Sequence, residues 1–205
     1  MSVHELARSI GSSRLITDPA VMDSYRRDEA HLAEPGHPVA VMLAETAADI
    51  SEALKWATAH RVPVVTRGAG TGLAGGGAAV EGCLVISTTR MRSILEVNPD
   101  DQLAVVEAGV INADISRAAD EYGLMYAPDP SSFEVSTIGG NIATNAGGLR
   151  CVKYGVTRDA VLGLEVVLAG HCQRLLERFL DRLDRRGRGT LRVGVLDAQD
   201  ENAAV

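Results

Sequence analysis

The stretch Arg67-Gly68-Ala69-Gly70-Thr71-Gly72-Leu73-Ala74-Gly75-Gly76-Gly77 constrains this chain more than any other. It follows Val62-Pro63-Val64-Val65-Thr66, an apolar run that reads as a strand. Ordering so glycine-rich a loop is entropically expensive, so the ordered form needs a purpose. The usual purpose is close approach of main-chain N–H groups to a phosphate, with no Cβ in the way. Gly70, Gly72 and Gly75 match the G-x-G-x-x-G dinucleotide fingerprint. That fingerprint requires a helix immediately afterwards. The chain instead runs through Gly76, Gly77 and Gly82 into Cys83-Leu84-Val85-Ile86-Ser87, a second strand-like run. No room remains for a crossover helix, which excludes a Rossmann unit.

A length of 205 residues suits one domain or two small subdomains with a sizeable core. The formal net charge of −7 argues against a general nucleic-acid binder, which needs a basic face. No apolar run approaches the roughly 18–20 residues that cross a bilayer. His4, Glu5, Arg8 and Arg14 leave no signal-peptide core at the N-terminus. Cys83, Cys151 and Cys172 are scattered without a CxxC pair, so neither metal nor disulfide is expected, and a cytoplasmic location fits.

Residues 1–38 read as a solvated lead-in helix and a loop, with the charged run Arg26-Arg27-Asp28-Glu29 and a turn at Pro35-Gly36-His37-Pro38. Residues 39–43 read as a buried strand. Thr46 and Asp49 form a capping-box pattern, opening a helix with Ile50, Leu54 and Ala57 on one face that ends near His60. Strand, helix and the run from Val62 make a parallel unit. Ile94–Val97 and 103–107, joined by Asn98-Pro99-Asp100-Asp101, read as a hairpin, so the sheets are mixed. Asn112 is placed as the cap of a helix ending at Gly123. The fold class is α+β, with small sheets and amphipathic helices.

A second informative stretch holds Pro128-Asp129-Pro130-Ser131-Ser132 and then residues 136–148, with two Gly-Gly pairs, two Asn and two Thr after Ser136. Such a composition makes poor helix and poor strand. Backbone amides with short amide and hydroxyl side chains suit a polar ring edge and a ribityl or phosphate chain. Two such stretches, each after a strand-like run, point to one extended ligand held between them.

Arg67-Gly-Ala-Gly-Thr-Gly-Leu73, Pro128-Asp-Pro-Ser131, Ile138-Gly-Gly-Asn-Ile-Ala-Thr-Asn-Ala-Gly-Gly148, Lys153-Tyr154-Gly155 and Gly163-Leu-Glu-Val-Val-Leu168 resemble the FAD-binding domain of the vanillyl-alcohol-oxidase (PCMH-type) superfamily. Within it they are most similar to the D subunit of glycolate oxidase and the FAD-linked D-lactate and D-2-hydroxyglutarate dehydrogenases. The resemblance runs over residues 20–169. It implies two small α/β subdomains with FAD between them, and hydride transfer from C2 of a 2-hydroxy acid to flavin N5. It places Gly68, Ala69, Gly70, Thr71, Gly72 and Leu73 around the pyrophosphate. Pro128, Ser131, Thr137, Gly139, Gly140, Asn141, Ala143, Thr144, Asn145, Gly147, Gly148, Tyr154 and Gly155 would line the rest. The first glycine loop has no His or Cys, which implies non-covalent FAD; Cys151 is the alternative linkage point.

After Ala169 the likeness stops, so the second subdomain is expected to be incomplete and the substrate domain absent. The expected organisation is a lead-in at 1–38, the FAD-binding domain at 39–169 and an unrelated tail at 170–205. That tail holds seven Arg and no Lys, which points to a frameshifted or truncated gene. The competing reading is an amphipathic helix from Leu175, Leu176, Phe179, Leu180 and Leu183, covering a sheet edge or docking on a partner. None of His4, His31, His37, His60 and His171 falls in a flavin motif, so no catalytic residue is nominated. Three functions remain open: the flavin part of a 2-hydroxy-acid oxidoreductase, a non-catalytic FAD-binding module needing a partner chain, or a non-functional remnant.

Overall fold

Ala40-Val41-Met42-Leu43 is apolar at every position, as a strand covered on both faces must be, and all four residues are buried. This strand belongs to the first of two units into which the computed structural model divides. Residues 3–30, 34–168, 173–177, 190–194 and 196–197 are described. The first unit comprises Met1–Met91 with Val167–Arg174, and the second Arg92–Val166 with Leu175–Val205.

The first unit runs α1 (Val3–Ile10), β1 (Leu15–Ile16), α2 (Pro19–Met22), β2 (Ala40–Leu43), α3 (Ala47–His60), β3 (Val64–Arg67) and β4 (Leu84–Ser87). Its sheet has the order β1-β2-β4-β3. β2, β4 and β3 are mutually parallel, and β1 is antiparallel at the edge. The parallel unit expected from β2, α3 and β3 therefore forms with β4 inserted between its strands. Alternate residues build two cores. Ala40, Met42, Leu84 and Ile86 pack with Leu6 and Ile10 of α1 and Trp56 and Ala57 of α3. Val41, Leu43, Val65 and Val85 pack with Met22, Ala79 and Cys83 on the other face. The lead-in is thus part of the fold, not a solvated helix: Leu6, Ile10 and Met22 are core residues.

The capping box at α3 is formed. Thr46 Oγ1 accepts from Asp49 N–H at 3.1 Å, and Asp49 Oδ2 accepts from Thr46 N–H at 3.0 Å. Loss of such a cap typically costs about 1 kcal/mol. The helix stops at Arg61, whose φ of 54° is left-handed.

The remaining elements, in the second unit but for Val167 of β8 and the first two residues of β9, are β5 (Ile94–Asn98), β6 (Leu103–Glu107), α4 (Asn112–Asp120), β7 (Leu124–Met125), α5 (Ile138–Thr144), α6 (Cys151–Tyr154), α7 (Thr157–Ala160), β8 (Val161–Val167), β9 (Gln173–Glu177), β10 (Thr190–Gly194) and β11 (Leu196–Asp197). The expected β5–β6 hairpin closes with Asn98 Oδ1 accepting from Asp101 N–H at 3.0 Å. Five strands form a sheet of order β5-β6-β10-β8-β9. Its central strand therefore comes from residues 190–194, beyond the composition change at residue 169. β10 is antiparallel to both neighbours, and Val193 is fully buried among Ala104, Val106, Ile115 and Tyr126.

Three expectations are corrected here. The cap of α4 is Ile111, while Asn112 is the first helical residue and turns its amide inward. Residues 138–144, read as neither helix nor strand, form α5. Residues 175–177, read as the start of a helix, belong to strand β9; Phe179, Leu180 and Leu183 lie outside the described residues. Among the described residues no helix is long and apolar enough to cross a membrane.

Candidate functional site

In the first unit, β3 ends at Arg67 and the chain reaches β4 without an intervening helix. Gly70 has φ +82°, and a Cβ there would stand 2.0 Å from Nη2 of Arg67. The left-handed conformation calls for glycine at this position, and any side chain would have to push the Arg67 guanidinium aside. Gly72 and Gly76 are different. Neither has a left-handed φ, and a Cβ on either would meet nothing within 4 Å. No backbone N–H of residues 68–76 meets an acceptor among the described residues. Leu73 stands 76% exposed beside them. A surface rich in free N–H groups, kept clear of side chains, has the chemistry to take an anionic oxygen cluster such as a pyrophosphate.

The ends of this loop are held by residues the charged-run reading of the lead-in did not single out. Arg67 Nη1 donates to the carbonyls of Arg27 at 2.6 Å and Gly77 at 3.1 Å. Asp28, only 6% exposed, accepts from Gly77 N–H through Oδ2 and from Ala30 N–H through Oδ1, each at 3.1 Å. Burial pushes the Arg67 guanidinium below its ordinary pKa, opposed by Asp28, Tyr25 and Glu29. The turn at Pro35–Pro38 is pinned as well, with Arg26 donating to the Gly36 and Pro35 carbonyls at 3.0 and 2.8 Å.

In the second unit most of the predicted residues are committed to protein partners. Asn141 Nδ2 donates to Asn112 Oδ1 at 2.9 Å, and Asn112 Nδ2 donates to the Pro128 carbonyl at 3.0 Å, joining α4, α5 and the Pro128 segment. Thr137 caps α5, accepting from Gly140 N–H at 3.4 Å. Gly139 is required by packing, because a Cβ there would lie 2.9 Å from the Ala108 carbonyl oxygen. A Cβ on Gly148 would lie 2.0 Å from that of Asp129. Thr144 Oγ1 donates to the Gly140 carbonyl at 3.1 Å. Asn145 takes a left-handed φ of 50° at the end of α5, and its Oδ1 accepts from Arg158 N–H at 3.0 Å. Gly147 faces Val156, and Gly155 needs its φ of +84°. Ser131, Ala143, Thr144, Asn145 and Gly147 are exposed, while Tyr154 lies half-buried under Lys153 Nζ. Pro128, Thr137, Gly139, Gly140, Asn141, Thr144 and Gly148 are thus drawn together around α5.

Cys151 is a half-buried free thiol at the start of α6. His60 stacks on Trp56, and its Nδ1 lies 2.8 Å from the Trp56 carbonyl, an arrangement that completes α3. His37 sits 3.4 Å from Glu81. His31 and His171 lie outside the described residues. No described histidine falls in either glycine stretch, and no group of three metal-ligating side chains occurs among the described residues.

A family model described as FAD binding domain matches residues 38–174. The chain is 52% identical over 132 residues to the glycolate oxidase subunit GlcD of Bacillus subtilis, covering 64% of this chain and 28% of that protein. It is 40% identical over 162 residues to the D-2-hydroxyglutarate dehydrogenase of Xanthomonas citri pv. viticola, covering 79% and 34%. It is 34% identical over 164 residues to the D-lactate dehydrogenase of Anaerostipes hadrus, covering 80% and 34%. The chain thus spans about a third of the length of these relatives. Among solved structures, p-cresol methylhydroxylase superposes with a TM-score of 0.79 at 16% identity, covering 95% of this chain and 42% of that one. The 6-hydroxy-D-nicotine oxidase of Arthrobacter nicotinovorans superposes with a TM-score of 0.72 at 21% identity, covering 89% and 42%. At such identities the likeness is one of fold.

Proposed function

The chain belongs to the FAD binding domain family, and from that premise we propose that it is the flavin-holding portion of an oxidoreductase of 2-hydroxy acids of the glycolate or D-lactate type. The observation that carries the reading is the cradle at residues 68–76, where Gly72 and Gly76 leave open space and the N–H groups meet no acceptor among the described residues. Its chemistry fits a pyrophosphate. Residues 68–73 bind and orient that group, and Pro128, Ser131, the α5 residues, Gly147, Gly148, Tyr154 and Gly155 line the remainder. The attachment is non-covalent in this reading, since residues 68–76 contain neither His nor Cys. In this reading the flavin-binding segment covers residues 39–169, and β10 braces it from beyond. Bound FAD would supply a ring able to accept hydride from a substrate carbon.

The second reading is a non-catalytic FAD-binding module that works with a partner chain. A 2-hydroxy acid and a partner subunit would then meet it as separate components. Titration of the purified chain with FAD, followed by flavin fluorescence, tests both readings. Weak saturable binding released by acid is expected. No binding at any attainable concentration would defeat the proposal, and colour surviving acid and filtration would defeat non-covalent attachment.

A further inference from the structure

The cradle owes its shape to the chain that precedes it. Beyond the Arg67 and Asp28 contacts, Glu29 N–H donates to the Gly70 carbonyl at 3.2 Å, and Ala79 N–H donates to the Arg26 carbonyl at 2.9 Å. Residues 26–30 are therefore stitched to Gly70 on the entering leg of the loop and to Gly77 and Ala79 on the leaving leg. The sequence partners are far apart: Asp28 and Gly77 are 49 positions from each other, and Arg67 and Arg27 are 40. Residues 26–30 also lie before the 38–174 span that the FAD-binding family model matches.

We propose that Asp28 and Arg67 are positioning residues for the cofactor, forming a clasp that holds the N–H groups of residues 68–76 in their binding arrangement before any ligand arrives. This rests on the FAD reading above. A loop with this much glycine samples many conformations when free, and each lost on binding weakens affinity. The clasp moves that ordering into the folding step. Arg67 spends its guanidinium on two carbonyls and on the field of Asp28, and it packs against Gly70 where no side chain can intrude. The carboxylate at Asp28 is a poor neighbour for a phosphate, and Arg67 stands as its counter-charge. Neither side chain needs to touch FAD.

The test uses the full chain with three substitutions: Asp28→Ala, Asp28→Asn and Arg67→Lys. Asp28→Asn keeps one side-chain oxygen to accept from Gly77 or Ala30, and Arg67→Lys keeps the charge but loses the planar fork. The first readout of the loop is amide hydrogen exchange of the ligand-free protein at Glu29, Ala78 and Ala79, whose N–H groups donate to the Gly70, Gly75 and Arg26 carbonyls, with α3 as an internal reference. The second is the FAD dissociation constant. For Asp28→Ala and Arg67→Lys, loop exchange should rise at least tenfold while α3 stays within twofold, and FAD should bind at least tenfold more weakly. Asp28→Asn should fall between these variants and the parent. Should Asp28→Ala fail to fold, the two conservative variants carry the same comparison. Unchanged loop exchange overturns the clasp, whatever happens to FAD. Faster loop exchange with unchanged FAD affinity overturns the positioning role. A parent chain that binds no FAD defeats the cofactor reading itself, and that result is distinguishable because loop exchange is measured without ligand.

Discussion

Gly70 and Gly72 lie two residues apart, yet alanine at each should register in different measurements. At Gly70 the left-handed backbone costs an alanine about 1–2 kcal/mol. The methyl group would also displace the Arg67 guanidinium, 2.0 Å from where it would stand, from its bonds to Arg27 and Gly77. Each hydrogen bond lost adds about 0.5–1.5 kcal/mol. The sum is about 2–5 kcal/mol, which for a unit of roughly 100 residues lowers the melting temperature by at least about 8 °C. At Gly72 the φ is ordinary and the space is open, so the folded state loses nothing. The narrowed unfolded ensemble even stabilises, by about 0.4–1 kcal/mol. What the Gly72 methyl occupies is the approach to the cradle. Losing one charge-assisted N–H bond to a phosphate oxygen costs about 1.5–3 kcal/mol, or roughly 10- to 150-fold in dissociation constant. Melts followed by circular dichroism and FAD titrations followed by fluorescence separate the two effects. Gly70→Ala should depress both, and Gly72→Ala only the titration. Parental FAD affinity in Gly72→Ala would refute the assignment of this space to the pyrophosphate.

Val193→Ala removes two fully buried methyl-sized groups from the centre of the second sheet, and should destabilise by about 2–3 kcal/mol in urea unfolding, with Val152→Ala, at a side chain 97% exposed, as a near-silent control. A shift under about 0.5 kcal/mol would mean that β10 does not pack where it is placed. Tyr126 is fully buried, and burial, only partly offset by the side chain of Thr157, pushes its pKa well above the ordinary value near 10. The protonated form is favoured in the fold, so its stabilising contribution is complete below about pH 10 and is lost as pH rises through the folded value. Alkaline unfolding curves should accordingly show a fall that Tyr126→Phe lacks; an identical fall in both proteins would assign it elsewhere. With saturating FAD, an artificial electron acceptor and glycolate, D-lactate or D-2-hydroxyglutarate, the 205-residue chain should reduce dye no faster than free flavin. Turnover at an ordinary enzymatic rate would show that a base lies within these residues.

Features written in local chemistry were legible in the sequence. The Thr46–Asp49 box and the Asn98–Asp101 turn each close over three residues, so their residue types suffice to announce them. The absence of a crossover helix after residue 77 was equally plain. Helix α5 was hidden because glycine's low propensity is overridden by tertiary contact: Gly139 lets the helix seat on the Ala108 carbonyl, while Ile138 reaches the core. Asn112 looked like a cap because Asn favours that position, yet its amide is needed by Pro128 and Asn141. Asp28 was obscured by its neighbours. A run of four charges has the composition of a solvated face, and the Gly77 N–H and the Arg67 guanidinium that favour burying Asp28 lie far away in sequence.

The position of β10 governs the order in which this protein can be made. Strand β6 must wait for residues 190–194 before its ladder from Leu103 to Glu107 is matched. A ribosome delivers the first unit's parallel strands and α3 early, within the first 91 residues. The β5–β6 hairpin follows with one edge open, and that edge is Leu-Ala-Val-Val-Glu, apolar enough to recruit a second nascent chain. Closing so distant a pairing is slow, because the intervening chain must be ordered before the contacts reward it. Yield of this protein is therefore a race between β10 and intermolecular pairing at β6, and it should respond to expression rate and chaperone supply more sharply than the stability of the finished fold would suggest.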